Sequence, residues 1–112
     1  MSTSKRTVLI TCCSDGCLGA ALTVAFHDAG LQVYTTARNR SKMTKLASLG
    51  IKTLTLDVLS DSSIAACVSK LSSLDVLINN AGAEFLMPVS DVSIPDAKKL
   101  FDLNDWSYIA MT

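Results

Sequence analysis

No stretch of this chain is apolar for anything near the roughly 18 residues that a bilayer crossing needs, so no membrane-spanning segment is expected. Its polar start, Met1-Ser2-Thr3-Ser4-Lys5-Arg6, leads into an apolar run of only about four residues, too short for the core of a secretory signal. Neither sign of charge predominates, with ten Lys and Arg against ten Asp and Glu. That balance excludes the clustered positive charge of a nucleic-acid footprint. There is one histidine, His27, and no pair of Cys-x-x-Cys motifs, so the usual spacing of a metal site is missing. No Gly-Lys-Ser/Thr follows the glycine turn, which excludes a P-loop. Linkers, repeats and low-complexity segments are lacking as well. The expectation is one cytoplasmic domain over residues 1–112, with no metal and no nucleic-acid partner.

What the chain does have is apolar content, at 49% of residues. A mean hydropathy of +0.37 is high for so small a domain. Both faces of a sheet must be covered, or some apolar surface meets a partner. Its organising stretch is Val8 to Gly19: a short apolar strand, a turn with Gly16 and Gly19, then a helix. Such a turn aims backbone N–H groups and a helix N-terminus at one point, which suits a phosphate. A side chain at either glycine would hold a pyrophosphate off the backbone, or the helix off the strand. Three of the four cysteines, Cys12, Cys13 and Cys17, crowd into this turn. They read as reduced, small residues, with a redox-active thiol at the helix start as the alternative.

Strand and helix patterns alternate along the chain. Thr7 to Thr11 reads as a strand, and Leu18 to Ala29 as a helix with Leu18, Ala21, Leu22, Ala25, Phe26 and Ala29 on its apolar face, closed by Gly30. His27 falls off that stripe. Gln32 to Thr36 reads as a second strand, followed by a helix capped at Ser41 and running to Leu49. Lys52 to Leu56 is a third strand. A helix capped at Ser60 or Asp61 follows, with Ile64, Ala65, Val68 and Leu71 on one face. Asp75 to Asn79 is the fourth strand, Asn80 to Asp91 a long loop, and the last helix starts near Ser93 to Pro95. This alternation predicts a parallel α/β sheet with right-handed crossovers.

Asn79-Asn80-Ala81-Gly82 at the end of the fourth strand sharpens the reading. With the glycine turn, Asp57-Val58 and Asn104, it resembles the short-chain dehydrogenase/reductase family over nearly the whole chain. Within that family the chain looks most like the NADPH-dependent 1-acyldihydroxyacetone-phosphate reductase branch. Thr36-Ala37-Arg38-Asn39, Ser41-Lys42-Met43, Leu54 to Val58, Leu74 to Gly82 and Phe101-Asp102-Leu103-Asn104 carry this likeness. The resemblance implies a Rossmann-type doubly wound parallel sheet, truncated after the fourth strand and its following helix. It implies cofactor contacts from Thr11, Ser14, Gly16, Leu18, Gly19, Thr36, Arg38, Lys42, Asp57, Val58, Asn80, Ala81 and Gly82. In it Asp57 meets the adenine amino group, Val58 packs on the ring, Leu18 approaches the nicotinamide half, and Asn80-Ala81-Gly82 lies against the adenosine ribose and braces strand four.

The cofactor's identity can be argued from the end of strand two. NAD readers usually carry an acidic residue there for the ribose 2′-hydroxyl. Here the chain reads Thr35-Thr36-Ala37-Arg38, with Arg40 and Lys42 beyond. Arg38 offers a planar fork for a 2′-phosphate, so NADP(H) is expected. Asp15 would oppose this if it faced the same phosphate.

Two departures from the family pattern matter. Cys12 stands where the family has the first glycine of its Thr-Gly turn, and a positive φ there would cost about 1 kcal/mol or more. The family's catalytic Ser and Tyr-x-x-x-Lys would fall beyond position 112. Tyr108 is followed four residues on by Thr112, and Tyr34 by Arg38 in the wrong strand, so neither substitutes. Asn104 is the remaining member of the catalytic tetrad, holding a water chain to the Lys by resemblance. The expectation is the cofactor-binding part of an enzyme that reduces a small-molecule ketone to a secondary alcohol, inactive by itself. The alternatives are a non-catalytic nucleotide-binding or interaction protein, and a non-functional relic. Family resemblance also implies a homo-oligomer and admits a lipid-droplet or ER surface location.

Overall fold

The computed structural model describes residues 5–83 and 86–112. The first four residues of the polar start, and positions 84 and 85 of the loop expected over 80–91, lie outside the described residues. Four strands, β1 (Thr7–Ile10), β2 (Gln32–Ala37), β3 (Lys52–Thr55) and β4 (Val76–Ile78), form one parallel sheet in the order β3-β2-β1-β4. Val8 lies in register with Val33 on one side and Val76 on the other. Central β1 is buried at every position, as a strand covered on both faces must be.

Side-chain alternation along β1 and β2 divides the core in two. Val8, Ile10, Val33 and Ala37 point to one face. There they meet Ala20, Leu22 and Phe26 of α1 (Leu18–Asp28) and Leu46 of α2 (Thr44–Ser48). Leu9 and Tyr34 point to the other, toward Ile64 and Cys67 of α3 (Asp61–Ser69) and Met111 of α5 (Ser107–Met111). Helices on both faces of a parallel sheet make a Rossmann-like arrangement, yet part of the apolar content stays outside it, with Leu18, Leu86, Val89, Ile94, Trp106 and Ile109 exposed.

Details of the helices correct the sequence pattern. Gly19, Ala20 and Thr23 are the buried residues of α1, while Leu18, Ala21, Ala25 and Ala29 of the expected stripe are exposed. Small residues face the sheet because the helix approaches it closely, and the Thr23 hydroxyl is satisfied at 2.8 Å by the Gly19 carbonyl. On α3 the packed residues are Ile64 and Cys67, joined by Leu71 just past the helix end, whereas Ala65 and Val68 face outward. Cysteine behaves there as a small hydrophobe.

The capping residue after β2 is Asn39, not Ser41. Its side chain accepts from the Ser41 amide at 3.0 Å and opens a 3-10 turn over Arg40–Met43. Ser60 rather than Asp61 caps α3, accepting from the Ser63 amide. Ser93 caps α4 (Ile94–Phe101), with Pro95 in the first turn where its missing N–H costs nothing. Between α4 and α5 the helix widens into a π-turn over Asp102–Trp106, a feature that often marks functional positions. β4 pairs with β1 alone, so its outer edge is unpaired among the described residues and Val76 is partly exposed.

Candidate functional site

The C-terminal ends of β1, β2, β3 and β4 converge on one edge of the sheet, where open α/β folds hold their ligands. A cleft of about 450 Å³ opens there, within the range of roughly 300–1,000 Å³ of small-molecule sites. Its walls come from four separate stretches: Cys12 and Ser14 of the glycine turn, Ala37 to Asn39 and Lys42 at and after the end of β2, Leu56 to Leu59 after β3, and Ala81 to Ala83 after β4, with Leu103 also in the lining.

The glycine turn is fixed by its neighbours. The Cys13 amide donates to the Thr36 carbonyl at 2.7 Å, and the Asp15 amide to the Lys42 carbonyl at 2.8 Å. A Cβ on Gly19 would strike the Cys12 carbonyl oxygen and stand 2.8 Å from the Asn80 side-chain nitrogen. Gly16 is needed for a different reason: open space surrounds it, but its φ is +85°, a conformation that side chains resist. Cys17 precedes α1 without a side-chain cap, so the opening amides of this helix keep their donors for another acceptor.

Cys12 itself sits at φ +61°. The conformation is imposed from outside: the Asn80 side chain donates to the Thr11 and Cys12 carbonyls at 3.2 and 3.1 Å, and Cys13 is tied to β2. Left-handed backbone at a non-glycine residue costs on the order of 1 kcal/mol, partly offset by the greater chain entropy of an unfolded glycine. Cys12→Gly is therefore expected to raise the melting temperature by about 2–4 °C and to widen the cleft, in a thermal melt of the two chains side by side. A lowered melting temperature would mean that the thiol makes compensating contacts.

Cys12 and Cys17 are exposed and Cys13 and Cys67 buried. Burial pushes the Cys13 thiol up, against hydrogen bonds with Thr35, Thr36 and Thr23 that lower it, and burial likewise raises Cys67. Both buried thiols are packing groups. Among the described residues no group of three or more His, Cys, Asp or Glu side chains is placed to hold a metal.

Of the sequence-predicted residues, Ser14, Arg38, Lys42, Asp57, Val58, Ala81 and Gly82 meet in the cleft. Arg38 and Lys42 supply its cationic lining. Arg40 turns away and donates to the Thr53 hydroxyl on β3 at 3.3 Å. Asp15 also turns away: one carboxylate oxygen accepts from the Lys45 amide at 3.2 Å, at the start of α2. Its other oxygen is buried without a hydrogen bond among the described residues, and Asp15 does not line the cleft. Asp57 keeps a turn role, accepting from the Leu59 amide at 3.0 Å through one oxygen. The second oxygen has no hydrogen bond among the described residues.

Other expected residues support the cleft without lining it. Thr36 is fully buried and donates to the Ile10 carbonyl at 2.8 Å, which removes it from the wall. Thr11 is buried too, and its hydroxyl oxygen accepts from the Asn80 and Ala81 amides at 2.9 Å each. Leu18 is 66% exposed at the start of α1. Asn104 lies in the π-turn and pairs both ways with Ala83, accepting from its amide and donating to its carbonyl at 2.9 Å. Cys12, Ala37, Asn39, Leu56, Leu59, Ala83 and Leu103 line the cleft without being expected there. Each adjoins an expected residue in the chain, and that adjacency is the available signal.

Comparisons with known proteins agree with this arrangement. The family model described as short chain dehydrogenase matches residues 6–112. A short-chain dehydrogenase/reductase of Pestalotiopsis microspora is 57% identical over 112 residues, covering 100% of this chain and 42% of the relative. The NADPH-dependent 1-acyldihydroxyacetone phosphate reductase of Schizosaccharomyces pombe is 40% identical, over 96% of this chain and 38% of its own length. A solved short-chain dehydrogenase from Streptomyces avermitilis superposes with a TM-score of 0.89 at 27% identity, over 99% of this chain and 43% of the other. The chain thus spans about two fifths of the length of these relatives.

Proposed function

The chain belongs to the short-chain dehydrogenase family, and from that premise we propose that it is the NADP(H)-binding part of an oxidoreductase that reduces a ketone to a secondary alcohol. One observation carries the cofactor reading. Arg38 and Lys42 both line the strand-end cleft, and Asp15, which follows the glycine turn's Ser14, does not line it and accepts from the Lys45 amide instead. A 2′-phosphate fits that cationic lining, and no acidic residue at the end of β2 repels it. The NADPH dependence named for the fission-yeast relative supports the same choice.

The residues present fit a dinucleotide. Uncapped α1 amides and the φ-positive Gly16 suit a pyrophosphate. Asp57 offers its second oxygen to the adenine amino group, Val58 an apolar wall, and Ala81-Gly82 a surface for the ribose. When bound, the cofactor supplies hydride for a carbonyl. The chain's own part is to hold and orient it; Asn104 contributes by fixing the loop after β4. Proton transfer falls to the Ser and Tyr-x-x-x-Lys that the resemblance places after Thr112.

The test is a binding titration with NADPH and NADH. NADPH is expected to bind at least about tenfold more tightly, the value of one charge-assisted pair of ~1.5–3 kcal/mol. Arg38→Ala should remove most of that preference. Equal affinities for the two cofactors in the unmutated chain would sink the Arg38 argument.

A further inference from the structure

We propose that Tyr108 is a positioning residue for the cofactor cleft, acting with Asn104 as a two-point clamp on Ala81-Gly82-Ala83. This rests on the reading that the cleft takes the nucleotide. Tyr108 is half-buried on α5, and its phenol donates to the Ala81 carbonyl at 2.7 Å. Four residues earlier, Asn104 closes a double hydrogen bond with the backbone of Ala83. Residues four apart share a helical face, so one face of the last helix grips the loop on both sides of Gly82.

Gly82 is the point between the two grips. A Cβ there would stand 3.3 Å from the Asn104 oxygen and 4.0 Å from the Tyr108 hydroxyl. The clamp therefore closes down on the one residue of the loop that has no side chain. All three loop residues face the cleft, so the hydrogen bonds set the shape of its wall from behind. The helix can act as the fixed jaw because Ser107 and Met111, flanking Tyr108, are buried. Thr11 holds the same loop at its start through the Asn80 and Ala81 amides. Tyr108 thus fixes the carbonyl of a residue whose amide is already fixed, and Ala81 is held at both ends of its peptide units.

Tyr108→Phe tests this, since it keeps the ring and removes only the hydroxyl. Two readouts are measured well below the melting temperature: NADPH affinity, and hydrogen exchange at the Ala83 amide in the ligand-free chain. The expected result is an affinity about fivefold weaker, with Ala83 exchange faster by roughly tenfold, the scale of one neutral hydrogen bond. Tyr34→Phe is the control, because that phenol accepts from Gln32 at 3.3 Å and does not line the cleft; it should leave both readouts unchanged. Unchanged exchange at Ala83 in Tyr108→Phe overturns the clamp, whatever the cofactor does. Faster exchange with unchanged affinity overturns its role toward the cofactor. Should the unmutated chain bind no NADPH while Tyr108→Phe speeds the exchange, the cofactor reading fails and the clamp on the loop stands.

Discussion

Gly19→Ala is expected to lower the melting temperature by about 8 °C or more. The new methyl group would overlap the Cys12 carbonyl oxygen, which is backbone, and crowd the Asn80 side-chain nitrogen at 2.8 Å. Neither can retreat freely. Cys12 is followed by an amide bound to β2, and the Asn80 nitrogen holds both turn carbonyls. Overpacking of this kind costs roughly 3 kcal/mol. Alanine's better helix propensity returns ~1 kcal/mol. The collision wins by about 2 kcal/mol, or ~4 °C for each kcal/mol in a chain of this size. A thermal melt followed by circular dichroism decides it. An unchanged or higher melting temperature would mean that α1 can slide off the turn, and that the close approach is not needed. NADPH affinity should fall along with stability, because the displaced Cys12 lines the cleft.

That close approach shows what was legible in the sequence and what was not. The glycine turn, the strand-end Asp57 and the Asn79-Asn80-Ala81-Gly82 run stand at corresponding ends of parallel strands, so alternation alone brings them to one edge. Asp57 and Val58 reach the cleft for that reason. The positive φ feared at Cys12 is real, since the turn is set by its surroundings rather than by the residue in it. Direction was harder to read. Thr36 and Arg38 share a strand end, yet one is buried against the Ile10 carbonyl and the other lines the cleft. The faces of α1 and α3 are legible only in part: Leu22, Phe26, Ile64 and Leu71 pack as their spacing predicts, while the buried Gly19, Thr23 and Cys67 do not stand out in an apolar stripe. In the sequence Tyr108 reads only as an acid–base residue to be set aside, because Thr112 and not Lys follows four positions on. Its bond to the Ala81 carbonyl spans 27 positions, and no local pattern announces it.

Thr11→Val is expected to be the most damaging substitution of a single hydroxyl. Valine keeps the shape of the side chain and removes an oxygen that two amides share, those of Asn80 and Ala81, each at 2.9 Å. Thr11 is 1% exposed and Ala81 4%, so water cannot readily replace the lost acceptor. Leaving a buried donor unmet costs about 1–3 kcal/mol. Two donors together outweigh the small apolar gain of the extra methyl, for a net loss near 3 kcal/mol and ~12 °C in a thermal melt. Thr11→Ser retains the oxygen and should recover most of the difference, losing only the packing of one methyl. Thr36→Val is the informative contrast, because it frees a carbonyl of Ile10 and no amide. If Thr11→Val and Thr36→Val cost the same, the hydroxyl of Thr11 is an ordinary buried group. If Thr11→Val costs markedly more and Thr11→Ser restores it, the hydroxyl is the joint that fastens β1 to the loop after β4.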